Sequence, residues 1–188
     1  MPGNGKTTRY EGRIFRIVEE EHRFGDEVKT FERAQRAPGV RIIVASDDQL
    51  LITREFRPEQ GGQDFRLPGG KVFDSLTEFE TALADGTDIM PMAERAARKE
   101  LTEETGLTPL SLRFLHRSPC GATVDWDLYY FVVDEFTLAE GGQALETGEE
   151  IVPTWISRAE AEAMCLDGRI GEERSALVLL RYLKWKFA

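Results

Sequence analysis

The segment Arg98-Lys99-Glu100-Leu101-Thr102-Glu103-Glu104-Thr105-Gly106-Leu107 constrains this chain more than any other. Ala93, Ala97 and Leu101 recur at four-residue spacing beside Ala96, which predicts a helix over Met92–Thr105 with Gly106 as its stop. On that helix Glu100, Glu103 and Glu104 share one face. Three like charges there weaken an isolated helix by roughly 0.2–0.5 kcal/mol per close pair. They also sit at its C-terminal end, where the macrodipole disfavours anions. A bound divalent cation would remove both conflicts, and carboxylate oxygens are hard donors suited to magnesium or manganese. A solvated acidic face with Lys99 or Arg95 as partners is the bland alternative. Upstream lies Leu67-Pro68-Gly69-Gly70-Lys71-Val72, whose glycines permit a tight loop with exposed carbonyls that complete a metal shell.

Around this centre the chain reads as a mixture of strands and helices, an α+β or mixed α/β layered fold. The first nine residues read as frayed, and Gly5-Lys6-Thr7-Thr8 lacks the upstream glycine of a phosphate-binding loop. Strands are expected at Tyr10–Val18 and Val28–Arg36 about a Gly25-Asp26 turn, then at Val40–Ala45 and Leu50–Phe56. A Gly/Pro loop at Pro58–Gly62 follows, and residues 74–91 read as an insertion with a short helix at Thr77–Ala84. Further strands are expected at Leu110–His116, Trp126–Phe136 and Ile151–Ile156, with a polar loop over Ala139–Glu150. Ser157 caps a helix to about Leu166, and a last helix spans Glu172–Phe187 with Leu177, Leu180 and Leu183 inward.

The net charge of −10 argues against a general nucleic-acid binder. No run approaches the ~20 apolar residues of a membrane helix. Two cysteines make no disulfide framework, and neither His22 nor His116 has the partners of a zinc site or triad. With no signal-like apolar segment at the N-terminus, a soluble cytoplasmic protein is expected.

Gly70 followed by Glu100-Leu101-Thr102-Glu103-Glu104-Thr105-Gly106-Leu107 resembles the signature of the Nudix hydrolases. The likeness extends to Arg54-Glu55-Phe56-Arg57 and to Ser118-Pro119-Cys120-Gly121, which are similar to segments flanking the signature in ADP-ribose pyrophosphatases. Two departures stand out. Lys99 replaces an arginine, and the first signature glutamate has no in-register counterpart, because Leu76 and Pro91 hold the positions counted from either end. Glu78, Glu80 and Glu94 are alternatives for it.

The resemblance implies a Nudix fold, a mixed β-sheet between helices, with residues 1–37 as an N-terminal β-extension and 38–188 as the hydrolase domain. It implies Mg2+-dependent hydrolysis of a nucleoside diphosphate derivative, ADP-ribose or a nucleotide sugar, with Mn2+ as a substitute. A catalytically weak ligand-sensing module is the alternative. Glu100 and Glu104 are the expected metal ligands, with Glu103 as ligand or water contact and the Gly69 carbonyl as a further donor. The base is expected on the loop holding Glu146, Glu149 and Glu150, with Glu149 first and Glu146 second. Arg57, Arg33 and Pro119 are the expected substrate contacts. A homodimer through the N-terminal strands, with no nucleic acid or membrane partner, is the implied assembly.

Overall fold

The structure, a computed structural model, describes residues 5–58 and 61–185. Met1–Asn4 of the expected frayed end, Glu59 and Gln60 of the expected loop, and Lys186 and Phe187 of the expected last helix lie outside the described residues.

Strand β4 (Gly39–Ser46) forms the centre, and the period-two alternation of its side chains builds both cores. Val40, Ile42 and Val44 face helix α2 (Ile89–Thr105), where they meet Ala93, Ala96, Ala97 and Leu101. Ile43 and Ala45 face the opposite way, toward Ala161 and Met164 of α3 (Arg158–Leu166) and Ala176, Val178 and Leu179 of α4 (Glu173–Trp185). Strand β10 (Leu128–Val133) pairs parallel to β4 and repeats the pattern. Its Tyr129, Phe131 and Val133 face α2, while Leu128, Tyr130 and Val132 face α3 and α4. The sheet between these helix layers is mixed: β12 (Ile151–Ser157), β5 (Gln49–Arg57), β4, β10 and β8 (Arg113–Ser118), in that order. The architecture is the mixed α+β layering expected from the sequence.

Beside it lies a second sheet of β1 (Lys6–Glu11), β2 (Arg16–Phe24), β3 (Glu27–Gln35) and β9 (Val124–Asp125). A tight turn with Gly25 at φ +64° joins β2 to β3, as the sequence predicts. Short strands β7 (Leu107–Pro109) and β11 (Phe136–Leu138) form a two-stranded ribbon. Ser157 caps α3 by accepting the Glu160 N–H, also as predicted. None of the helices is long and apolar enough to cross a membrane among the described residues.

Several boundaries differ from expectation. Lys6–Glu11 is not frayed but pairs antiparallel with β2. The strand expected over Tyr10–Val18 is broken by a turn closed by Gly12 N–H donating to Phe15 O. The single strand expected over Trp126–Phe136 is β10 followed by the start of β11, with β10 ending before Asp134-Glu135, where the Glu135 carbonyl accepts the Leu110 N–H. The strand expected over Leu110–His116 is β8, which starts three residues later and runs to Ser118. Leu177 is half-exposed and not inward, because α4 presents Ser175, Ala176, Val178 and Leu179 to the sheet. The leucine spacing alone left the helix rotated from its true face, since a buried serine and alanine carry no hydrophobic signal.

One element positions the site. Strands β4 and β5 pair only at Ala45–Leu50 and Ser46–Gln49, next to their turn, and then separate. Strand β6 (Gly62–Arg66) continues along the edge of β5. The following residues cross to β4, where Ile42 N–H donates to Pro68 O, Val40 N–H to Gly70 O and Val72 N–H to Pro38 O. The chain thus fills the gap between two diverging strands and satisfies the freed backbone of β4.

Arg41 lies between Val40 and Ile42 on the α4 side of β4, almost fully buried. Its Nε and one Nη donate to the two Glu172 oxygens at 2.7 and 2.8 Å, and the other Nη donates to Val40 O. Ser175 donates to Glu172 and meets the Tyr130 hydroxyl at 3.1 Å. Burial opposes the charge on Glu172, but Arg41 and these hydrogen bonds outweigh it and hold the carboxyl below its ordinary range. That stabilisation is present above the unfolded carboxylate pKa and is lost as pH falls through the lower folded one. Arg41→Met should cost about 3–5 kcal/mol in urea unfolding at neutral pH, because it leaves a buried charge unpaired. Arg41→Met with Glu172→Leu should recover most of that loss.

Candidate active site

Helix α2 begins three residues earlier than its apolar spacing suggests, with Asp88 accepting the Met90 N–H. It ends at Gly106, whose φ of +71° is left-handed and whose α-carbon packs on Gly142. Its last turn carries Glu100, Glu103 and Glu104 into a cleft of about 350 Å3. The Gly69-Gly70 loop forms the facing wall. Gly69 N–H donates to Glu104 Oε2 at 2.8 Å, and Lys71 N–H donates to Glu100 Oε1 at 3.2 Å.

Both glycines are required, for different reasons. Gly69 has φ +146°, and a side chain there would run into the Val40 carbonyl. A side chain at Gly70 would occupy the place of the Glu100 carboxylate. The backbone of this loop therefore sits directly against the acidic cluster on one side and the central strand on the other.

The loop after β11 is pinned to the same helix end. Ala144 N–H donates to Glu103 O, and Gln143 Nε2 donates to both Glu104 O and Ile151 O. These bonds satisfy carbonyls that the helix terminus leaves open. They also bring Glu146 and Glu149 into the cleft, where Glu149 accepts the Glu146 N–H at 3.0 Å.

Burial is the largest influence on Glu104 and pushes its carboxyl up to about 8, against the Gly69 hydrogen bond, with Glu100 and Glu149 adding to the rise. Burial also raises Glu100. Glu103 is partly offset by Lys99 at 3.2 Å. Cations line the same cleft: Arg13, Arg36, Arg41, Arg57, Arg66 and Lys71. Two of them are held by nearly buried carboxylates that face each other across β5 and β6. Arg57 meets Glu55 at 2.5 Å, and Arg66 pairs with Asp64.

Of the residues expected from sequence, Glu100, Glu103, Glu104, Glu146, Glu149, Gly69 and Arg57 meet in one cleft. Arg33 and Pro119 do not line it. Arg33 lies on β3, with Glu20 at 3.4 Å and Asp125 at 3.3 Å. Glu78, Glu80 and Glu94 do not line it either. Glu78 accepts the Asp74 N–H to cap α1 (Leu76–Ala84), Glu80 pairs with Arg16, and Glu94 is exposed. Residues 74–76 of the insertion do form part of the wall. Sequence reasoning missed Arg36, Arg41 and Arg66. Only Arg41 left a trace, as a lone charge inside an otherwise apolar strand.

The donor set suits a hard divalent cation. Glu100, Glu103 and Glu104 are oxygen donors on one helix face, and among the described residues the desolvated Glu104 forms no ion pair, with Arg41 close enough to act on it. Among the described residues no three such side chains close to ligand spacing, so water or phosphate oxygens would supply much of the shell.

No family model matches this sequence, and no curated protein matches it. The fold does match a solved structure described as "Crystal structure of ADP compounds hydrolase", with a TM-score of 0.74 and 19% identity. The match covers 96% of this chain and 91% of that one. The layered fold read from the sequence is therefore a fold of known proteins.

In chelator, the raised Glu104 pKa means that the unfolded chain releases its proton first as pH rises. The contribution of Glu104 to stability is then lost between the unfolded carboxylate pKa and about 8. Glu104→Gln should flatten this limb and exceed the parent protein in melting temperature at pH 8 without metal. Gly69→Ala should lower stability by roughly 1–3 kcal/mol, given the strain of a non-glycine residue there. Gly70→Ala should unfold near the parent midpoint, because the flexible Glu100 carboxylate yields where backbone does not.

Proposed function

We propose that this protein hydrolyses the diphosphate bridge of a nucleoside diphosphate derivative. ADP-ribose, giving AMP and ribose 5-phosphate, is the first substrate to test, and nucleotide sugars the second. The observation that carries this reading is the convergence of Glu100, Glu103, Glu104 and Glu149 with Arg41, Arg57 and Arg66 in one cleft. A wall of carboxylates without cations would repel phosphates. A wall of arginines alone would hold a diphosphate but offer no base. The fold shared with a protein described as an ADP compounds hydrolase supports the same class of substrate.

Glu100 and Glu104, with Glu103 beside them, would hold Mg2+ or Mn2+. Such a cation, when bound, neutralises phosphate charge and makes a bound water more acidic. Arg57, fixed by Glu55, is placed to orient a phosphate oxygen through its planar fork. Glu149 is the base in this reading: it takes the proton of the attacking water. It is favoured over Glu146 because it lies close enough to act electrostatically on Glu55, Glu100 and Glu104, whereas Glu146 acts on Lys99. Ile14, Phe73 and Leu76 add apolar surface to the cleft and limit bulk water around the reacting phosphates.

The absence of Glu78, Glu80 and Glu94 from the cleft favours one other reading, a module that binds such a ligand without cleaving it. Apolar side chains also stand out on the two-layered edge of the molecule. Phe24, Val28 and Phe31 are about half-exposed on the β2–β3 hairpin, and we include in this proposal a homodimer that covers that hairpin.

A panel of diphosphate compounds assayed with Mg2+ should yield AMP from ADP-ribose. Glu104→Gln should lower turnover by about two to three orders of magnitude with the fold intact. Tight binding with no product from any compound would select the non-cleaving module instead. Sedimentation should give a dimer that Phe31→Lys weakens.

A further inference from the structure

Two groups of side chains line the cleft. Glu100 and Glu104 meet the glycine loop, with Glu149 close enough to act on both. Arg36 and Trp126 form the other group: Arg36, and Arg174 from outside the lining, each place the guanidinium carbon 4.4 Å from the centre of the Trp126 ring. Arg36 also lies 5.4 Å from the Phe15 ring. Arg41 links the two groups, because it is close enough to act on Glu104 and on Arg36 alike.

The cationic group carries more positive charge than the carboxylates paired with it balance. Arg41, Arg66 and Arg174 are close enough to act on Arg36, and among the described residues the carboxylates paired with these arginines are Glu172 and Asp64. Arg41 occupies Glu172 with a two-pronged contact, and Asp64 holds Arg66. Arg174 spends one Nη on the carbonyls of Ser118 and Trp126. Arg36 is different. Among the described residues no ion pair and no side-chain hydrogen bond engages its guanidinium; its backbone N–H alone is used, toward Asp125 O. It is half-buried, and burial together with the neighbouring arginines disfavours its charge. Glu172 is close enough to act on it, but that carboxylate is already engaged by Arg41, and among the described residues none forms an ion pair with Arg36. Trp126 holds the ring plane that a guanidinium stacks on, which leaves the N–H edge of the fork for a ligand.

We propose that Arg36, with Arg66 nearby, forms an anion subsite beside Trp126 in the cleft that takes a phosphate monoester carried by the substrate outside its diphosphate bridge. The subsite stands on the arrangement of charges alone. Its assignment to a substrate rests on the hydrolase reading above, and it narrows that reading to diphosphate compounds bearing a third phosphate. A dianionic phosphate fits better than a carboxylate, because it meets a planar fork with two oxygens and still has a third for Arg66.

Inorganic phosphate titrated into the full chain in chelator tests the subsite without any turnover. The Trp126 indole N–H resonance, assigned with Trp126→Phe, should shift saturably. Arg36→Gln should weaken binding by roughly tenfold or more, and Arg36→Lys should weaken it less, since charge is kept and the fork is lost. Arg117→Gln, on β8 and outside the cleft, should bind as the parent does. Absent saturation, or equal affinity in both Arg36 variants and the parent, overturns the subsite. With Mg2+, kcat/KM should favour 2′-phospho-ADP-ribose over ADP-ribose, or coenzyme A over its dephosphorylated form, and Arg36→Gln should erase the preference. No preference in either pair overturns the substrate assignment. Phosphate binding through Arg36 with no diphosphate turnover leaves the subsite and removes the hydrolase reading. Turnover without phosphate binding does the reverse.

Discussion

The contact between the Gly69-Gly70 backbone and the carboxylates of α2 organises everything else in this molecule. It exists because β4 and β5 part after two residue pairs, leaving an edge of β4 that must be satisfied. The crossing chain does so through Pro68 O and Gly70 O and is pressed flat against β4, with no room for a side chain at Gly69. On its other side it offers the amide protons of Gly69 and Lys71 to Glu104 and Glu100. The sheet's divergence, the glycines and the position of the acidic helix are one constraint seen from three directions.

That constraint is costly by itself. Helix α2 ends in anions where its dipole disfavours them, and burial pushes Glu104 up to about 8. The loop from Ala139 to Glu150 makes the strain tolerable for the backbone by taking up the Glu103 and Glu104 carbonyls. It adds two further carboxylates to the cleft in doing so. The fold and the acidic cleft are therefore built from the same residues, with stability given up where carboxylates are buried together.

The opposite wall solves the complementary problem. Arginines are held in place by carboxylates, the buried Glu55 and Asp64 across β5–β6 and the partly buried Glu172 beside Arg41. Held this way, the forks keep little conformational freedom. Because Arg41 influences both Glu104 and Arg36, the acidic and cationic groups of the cleft are electrostatically one unit.

Local pattern was enough to locate the acidic helix, its Gly106 stop, the Ser157 cap, the β2–β3 turn and the buried run of β4, because each depends on neighbours within a few residues. It was also enough to pick out Glu100, Glu103, Glu104, Gly69, Glu146 and Glu149, which the structure places around one cleft. What it did not decide was set by contacts distant in sequence. Lys6–Glu11 looks frayed until β2 pairs with it, and α4 turns Ser175 and Ala176 inward because Glu172 is drawn to Arg41, 131 residues away in sequence. Arg36 and Arg66 look like surface charges in the sequence. Only the folded chain brings them beside Arg41, Arg174 and Trp126, because long-range electrostatics depends on distance through space and leaves no periodicity to read.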